Sequence, residues 1–305
     1  SIDGIENGCR LEQALKVTVK NTGAASPAYK LCYQVDKNPI VIQNINEALS
    51  SGEEKQCSFT EKIKFTEPRQ NIDSVYTIKT WVEASNDANL FNDTLSATVV
   101  ITTSMEYPYK MTIENAQENL RSSATEGRRN AYWKWLGADE ENVQNCWLYS
   151  PYMGQSAILA SNCITLPQGK VRINFEYQCG ESFTVTASLG NFDYSKYEPT
   201  GTSARLLASP YEWVKGGFTI DVNELGKHSL GLTASVAGSQ LLMRNIEICD
   251  PYNDVVAQKI VSPYANAMMK NNSVTVTATF MNIGKDDLQN IPVHYRLNDG
   301  VVIDG

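Results

Sequence analysis

A pattern of alternating residues that occurs twice, once near each end of the chain, constrains the fold more than any other feature. In the first copy Leu15, Val17 and Val19 alternate with Lys16, Thr18 and Lys20. The run ends in Asn21-Thr22-Gly23, and Tyr29, Leu31, Tyr33 and Val35 resume the alternation. The second copy places Val276, Ala278 and Phe280 before Asn282-Ile283-Gly284 and continues with Ile291, Val293, Tyr295 and Leu297. Apolar residues at every second position describe strands with one buried face, and Asn-x-Gly supplies residues that tolerate positive φ in the connecting turn. Each copy therefore reads as the opening of a β-sandwich. The sequence predicts an architecture better than an activity.

At 305 residues the chain is too long for one small sandwich and fits three domains, each with its own core. The expected boundaries are 1–103, 104–249 and 250–305. Charged residues make up 20% of the chain and the formal net charge is −8, which argues against nucleic acid, because phosphate binding needs clustered Lys and Arg. The longest apolar runs are strand-sized, so no membrane-spanning helix is expected. The opening Ser-Ile-Asp-Gly carries no basic end or apolar signal segment, and the expectation is that any such segment has been removed.

Seven cysteines suit an oxidising compartment, and none has the close paired spacing of a zinc site. The odd count leaves at least one thiol. Cys32 falls on the face opposite Leu31 and Tyr33, whereas Cys57 shares parity with Phe59, which argues against a bond between these two. Cys179 continues the apolar series Val171, Ile173, Phe175 and Tyr177 and reads as a small buried hydrophobe. Cys9, Cys146, Cys163 and Cys249 are left as candidates for pairing, with connectivity open.

After its opening strands the first domain shows a Gly52-Glu53 turn, a strand around Gln56 to Phe65, the alternation of Tyr76, Ile78, Thr80 and Val82, and a last strand from Thr94 to Thr102. Short strands at this spacing, without helical periodicity, predict a sandwich of roughly seven strands. The segment resembles the bacterial CARDB family of immunoglobulin-like domains. Val17 to Gly23, Tyr33-Gln34-Val35-Asp36 and Glu83-Ala84 before Asn92-Asp93 carry the resemblance. These are packing and turn residues, so they speak for fold and hardly for ligand.

Met105 to Tyr109, interrupted by Pro108, reads as a linker. Ser122 to Gln144 reads as irregular. Strands then follow from Ala157 to Leu166, Lys170 to Cys179, Ser182 to Leu189, Gly217 to Val222, His228 to Val236 and Gln240 to Ile248, which predicts a jelly-roll or related two-sheet sandwich. Ile158 to Pro167, Ile173-Asn174-Phe175-Glu176-Tyr177, Trp213 ahead of Phe218 to Val222, and Arg244-Asn245-Ile246-Glu247-Ile248 resemble the choice-of-anchor J or cleaved-adhesin modules, distant relatives of the MAM domain. Some relatives hold a structural calcium ion with an early Glu and a late Asp. The resemblance nominates Glu114 as the one calcium ligand, while Arg244 stands where the Asp is expected and puts a cation where a hard metal needs an anionic oxygen. No other cofactor is implied.

The third unit has about half the strands of the first, and half a sandwich leaves an open edge and an uncovered apolar face. The expectation is that the chain is part of a longer parent chain or that another chain supplies the missing strands.

Constellations for catalysis are sparse. His294 alternates with Val293 and Tyr295 and faces solvent, His228 opens a strand, and neither has a nucleophile in a recognisable local setting. Asp139-Glu140-Glu141 reads as a solvated turn. No phosphate loop, metalloprotease helix or serine-hydrolase elbow is present, so an enzyme is not expected. The strongest functional signal is aromatic. Tyr132, Trp133, Trp135, Trp147, Tyr149 and Tyr152 crowd the first third of the middle domain, and Tyr194, Tyr197, Tyr211 and Trp213 follow. Flat rings on loops stack on sugar faces or anchor protein contacts at little rotamer cost, and the competing role is core packing. Trp147 and Trp213 read as core, Trp133, Trp135, Tyr149 and Tyr152 as the candidate ligand surface, and Trp135 with Tyr152 as its exposed pair. Asp73-Ser74-Val75 and Asp93-Thr94-Leu95 resemble the motif by which some Bacteroidetes O-glycosylate exported proteins, and Asn92-Asp93-Thr94 and Asn271-Asn272-Ser273 match the eukaryotic sequon.

The resemblances imply a secreted or cell-surface bacterial segment that binds a glycan or an extracellular protein. An accessory region of a larger secreted protease or polysaccharide hydrolase, and a passive stalk, are the alternatives.

Overall fold

A computed structural model of the chain describes residues 1–24, 28–69, 72–85, 93–127, 129–137, 145–192, 196–235, 239–263, 274–284 and 286–304. Among these the one helix is the four-residue Ala116–Asn119, and strands make up the rest of the regular structure. The chain is all-β, as its period-two pattern predicts. No helix among the described residues is long and apolar enough to cross a membrane.

The N-terminal sandwich packs a sheet of Ile2–Asp3, Lys16–Lys20 and Glu54–Ser58 against a second sheet. The strand order in the second is Val41–Ile45, Tyr29–Val35, Ser74–Ala84, Thr94–Ile101. Leu15 and Val17 meet Leu31, Tyr33, Ile78 and Val99 in one core with Phe59 and Phe65. The two halves of the repeated pattern thus lie in different sheets, and Asn21 turns the chain between them. Its Oδ1 accepts from the Gly23 N–H at 2.9 Å, and its Nδ2 donates to the carbonyls of Ala24 and Leu49 at 2.7 and 2.8 Å. Asn282 makes the same bond to the Gly284 N–H at 2.9 Å. Neither glycine has positive φ, so the expectation of a left-handed turn is corrected: the asparagine side chain makes the turn. At Gly284 the requirement is space, because a Cβ would stand 2.6 Å from the Asp254 nitrogen.

The middle sandwich has a first sheet in the order Ser104–Met105, Ile158–Leu166, Gly226–Ser235, Phe183–Gly190, Glu198–Leu206. The second runs Tyr132–Leu136, Cys146–Ser150, Leu241–Cys249, Gly169–Cys179, Ser209–Val222. Ile173, Phe175 and Tyr177 face Leu230, Leu232 and Val185 across the core. Three expectations change here. The stretch read as irregular contains the Tyr132–Leu136 strand, hairpin-paired with Cys146–Ser150. Tyr211 and Trp213, which the sequence groups with aromatic rings on loops, lie on a strand. Met105 and Tyr109, read as linker, are buried in the second core, because Ser104–Met105 pairs in parallel with Cys163 and Ile164.

A disulfide between Cys9 and Cys163 joins the first sandwich to the middle of the second across 154 residues. Cys57 lies in the first core and Cys32 on the opposite face of its own sheet, opposite Trp81 in register; both are thiols, and burial pushes Cys32 up to about 11. Cys179 is buried in the second core, as its parity predicts.

In the C-terminal unit Val255–Ser262 pairs with Thr277–Asn282, and His294–Arg296 pairs with Val302–Asp304, a strand that the alternating pattern does not mark. Ile260, Phe280, Leu297 and Val302 are exposed, so these two short ladders enclose no core of their own among the described residues.

Candidate functional site

One end of the second sheet of the middle sandwich opens into a pocket of about 590 Å³. It is lined by Met111, Thr112, Ile113, Glu114, Trp135, Asn145, Arg244 and Asn245. Three local structures deliver these residues. The first is the turn ahead of the short helix. Asn115 Oδ1 accepts from the Thr112 N–H at 2.8 Å, and the Asn115 N–H donates to Thr112 Oγ1 at 3.3 Å, a reciprocal cap that leaves Ile113 and Glu114 exposed at the tip. The turn is held to the sheet where the Met111 N–H donates to the Ile246 carbonyl at 2.8 Å.

The second is the hairpin that sets Trp135 opposite Trp147, ring centroids 5.7 Å apart and edge-on. Asn145 precedes the returning strand with φ +41°, and its Oδ1 is buried with no hydrogen-bond partner among the described residues.

The third is a β-bulge. The register steps from Asn174 opposite Glu247 to Glu176 opposite Arg244, so the four residues 244–247 of one strand span the three residues 174–176 of the other, with Asn245 at φ +52°. A bulge re-aims side chains, and here Arg244 and Asn245, adjacent in sequence, reach the same carboxylate. Arg244 Nε donates to Glu176 Oε2 at 2.8 Å and Asn245 Nδ2 to the same oxygen at 3.0 Å. The guanidinium also lies 4.0 Å from the centroid of the Trp213 ring. Trp213 is half-buried on the outer face and not in the core, which corrects its expected role.

The four aromatic candidates separate. Trp133 and Tyr149 are 3% and 1% exposed and pack at 5.1 Å within the core, with the Trp133 Nε1–H donating to the Ala157 carbonyl at 3.0 Å. Their rings are closed to a ligand, because both face the other sheet near the middle of the hairpin. Trp135 lines the pocket. Tyr152 is half-buried at the turn beyond Ser150, at the far end of the strand from Trp135, and a five-residue strand spans about 16 Å. The expected exposed pair therefore does not form one surface. Trp147 is core, as its pattern predicts. Tyr194, Asp139-Glu140-Glu141 and both sequon asparagine sets lie outside the described residues.

Glu114 and Arg244 do converge on one pocket. Glu114 is fully exposed, and a hydrogen bond from the Thr112 side chain holds its carboxyl below the usual range. It is the one carboxylate lining the pocket among the described residues, and the second charged group is a guanidinium. This donor set does not fit a calcium ion, which takes six or more oxygens. Glycosidic hydrolysis needs two carboxylates across the bond, and among the described residues Glu114 is the one carboxylate that lines the pocket. His294 is exposed beside Asp304, and His228 is near the Glu224 carbonyl.

The sequence pattern sets Arg244 apart, but it joins neither Glu176, 68 residues away, nor Trp213 to it. The signal available was the outward parity of Glu176 between Phe175 and Tyr177.

No family model matches the chain, and no curated protein matches it. Among solved structures, the tandem CBM22 domains of Paenibacillus barcinonensis Xyn10C are similar at 11% identity and TM-score 0.35, over 80% of this chain and 84% of theirs. A CBM6 module of Cellvibrio mixtus lichenase 5A, solved with cellotriose, is similar at 15% identity and TM-score 0.31, over 45% of this chain and 95% of its own. TmCBM61, solved with β-1,4-galactotriose, is similar at 15% identity and TM-score 0.30, over 42% of this chain and 86% of its own.

Proposed function

We propose that this chain is a non-catalytic segment of a secreted or cell-surface bacterial protein in which the sandwich of residues 104–249 binds a glycan. The immunoglobulin-like units 1–103 and 250–305 carry it. The observation behind the reading is the convergence of Trp135 with Glu114, Asn145, Arg244 and Asn245 on one open pocket. A pyranose presents an apolar face and a rim of hydroxyls that both donate and accept. An indole suits the face, and a mixed set of amide, guanidinium and carboxylate suits the rim. The Cys9–Cys163 bond supports an oxidising compartment. The adhesin-like role rests on the CARDB and choice-of-anchor J resemblances of the residues quoted above.

A passive stalk is the second reading, and the clamped junctions between units favour it, since a spacer gains from rigid contacts. Applying the intact chain to a glycan array separates the two. Selective binding that Trp135→Ala abolishes and Tyr152→Ala leaves in place supports the glycan site. A blank array rejects it and leaves the stalk or a protein ligand.

A further inference from the structure

On the glycan reading just given, we infer that the pocket takes a pyranose ring between two apolar walls, Trp135 and Ile113. It thereby selects sugars whose ring hydroxyls are all equatorial, of gluco or xylo configuration, over galacto and manno sugars, and Ile113 is the specificity-determining residue. Strand pairing puts the two walls on opposite sides of a gap. The Gly169–Cys179 strand runs along one edge of Leu241–Cys249. On the other edge, residues 241–243 pair with Cys146–Ser150, the returning strand of the hairpin that carries Trp135. Further along that edge, Tyr109–Lys110 pairs with residues 247–248, and the Met111 N–H bonds the Ile246 carbonyl where the turn to Glu114 begins. Arg244 and Asn245 lie between as a polar floor. The step from 243 to 246 is about 10 Å of extended strand, less at a bulge. A ring packed against a wall on each side at carbon contact distance needs about 7–8 Å.

Ile113 is 59% exposed, and its turn is held without it. Besides the reciprocal bonds of Thr112 and Asn115, the Asn115 Nδ2 donates to the Lys110 carbonyl at 3.1 Å, and the Tyr109 hydroxyl donates to Asn115 Oδ1 at 3.1 Å. An exposed isoleucine alone means little, but one fixed across a polar floor from an indole is an apolar wall formed in advance of the ligand. A pyranose with equatorial hydroxyls carries only C–H groups on its two faces, and its hydroxyls point outward in the ring plane, towards the floor and the mouth. An axial hydroxyl, at C4 in galacto sugars and C2 in manno sugars, points out of one face. Against an apolar wall it loses water and finds no partner. A single wall would leave the other face free for that hydroxyl, whereas two walls leave no orientation that spares it.

Calorimetric titration of the intact chain with the β-1,4-linked trisaccharides of glucose, xylose, galactose and mannose tests this. The glucose and xylose sugars are expected to bind about tenfold more tightly than the other two. Ile113→Ala should weaken glucose binding and shrink that preference with the melting temperature unchanged. Ile113→Asn, which offers an axial hydroxyl a partner, should bind the galactose or mannose sugar more tightly than the unchanged chain does, a gain that misfolding would not give. Equal binding of all four sugars, a preference for galactose or mannose, or a preference unmoved by both variants overturns the inference while leaving the glycan reading standing. Binding of none of the four overturns the inference, and the glycan reading falls with it where the array is blank as well.

Discussion

The two junctions of this chain are built on opposite principles. Between the first and middle sandwiches the contacts are many and independent. The Cys9–Cys163 bond is flanked by Asn191, whose Oδ1 accepts from the Cys9 N–H at 2.6 Å and whose Nδ2 donates to the Asn7 carbonyl at 3.2 Å. Lys196 pairs with Glu6 at 2.8 Å, Arg121 with Asp73 at 3.1 Å, and Lys227 with Glu67. Between the middle sandwich and the C-terminal unit much of the polar contact passes through one side chain. Arg172, fully buried, donates to Asn174 Oδ1, to the carbonyls of Tyr252 and Ile283 and to Asp254 Oδ2, and lies 4.2 Å from the Tyr252 ring centroid. Redundancy makes the first junction tolerant of single losses among its polar contacts. Concentration makes the second sensitive to one.

Breaking the covalent contact should have the largest effect. Cys9→Ser is expected to lower stability by about 2–5 kcal/mol, the usual cost of losing a native disulfide, read as a shift in urea midpoint. Dithiothreitol should reproduce the shift in the unchanged chain and add nothing in the variant. Arg172→Ala should cost about 2 kcal/mol, because it empties a buried site and leaves the Tyr252 and Ile283 carbonyls without its hydrogen bonds, but locally. The measurable outcome is faster proteolysis in the region after residue 250 with the main unfolding transition in place. Equal loosening of both junctions by this variant would contradict the contrast.

A smaller effect follows pH. The hydrogen bond from Lys196 holds the Glu6 carboxyl below its usual range, against the opposing effect of burial. Burial raises Glu67, but the hydrogen bonds from Lys227 and Ser104 and the Lys227 charge more than offset it. Carboxylates depressed by folding contribute stability above their unfolded values and lose it as pH falls through the folded ones. The first junction should therefore weaken below the ordinary carboxylate range. Because both pairs are partly exposed, each contributes less than about 1 kcal/mol, and Glu6→Gln should flatten the acid limb of the stability curve by that much. Smallest of all is the response to chelation: ethylenediaminetetraacetate should leave the melting temperature unchanged, because the described residues lining the pocket do not compose a calcium site.

What could be read from the sequence follows the same divide between local and distant information. Alternation at Leu15 to Val35 and at Val171 to Cys179 is local, and the strands stand where it puts them. Trp133 and Trp135 share a strand and a face, so period two treats them alike. One is core and the other lines the pocket, where the turn at 111–114 and the bulge at Asn245 meet the hairpin, and both come from distant sequence. The Cys9–Cys163 pairing likewise depends on Asn7 to Cys9 being carried along the last strand of the first sandwich, where Gly8 bonds Val100 and Thr102. Parity at a cysteine does not report such a path.

The most direct test of the glycan site is calorimetric titration of the intact chain and of Trp135→Ala with the neutral oligosaccharide that binds best, each protein first checked by thermal melt. The account predicts saturable one-site binding that weakens at least about tenfold in Trp135→Ala and is partly recovered in Trp135→Phe. Binding of equal strength in folded Trp135→Ala, or no binding of any sugar by the unchanged chain, would contradict it.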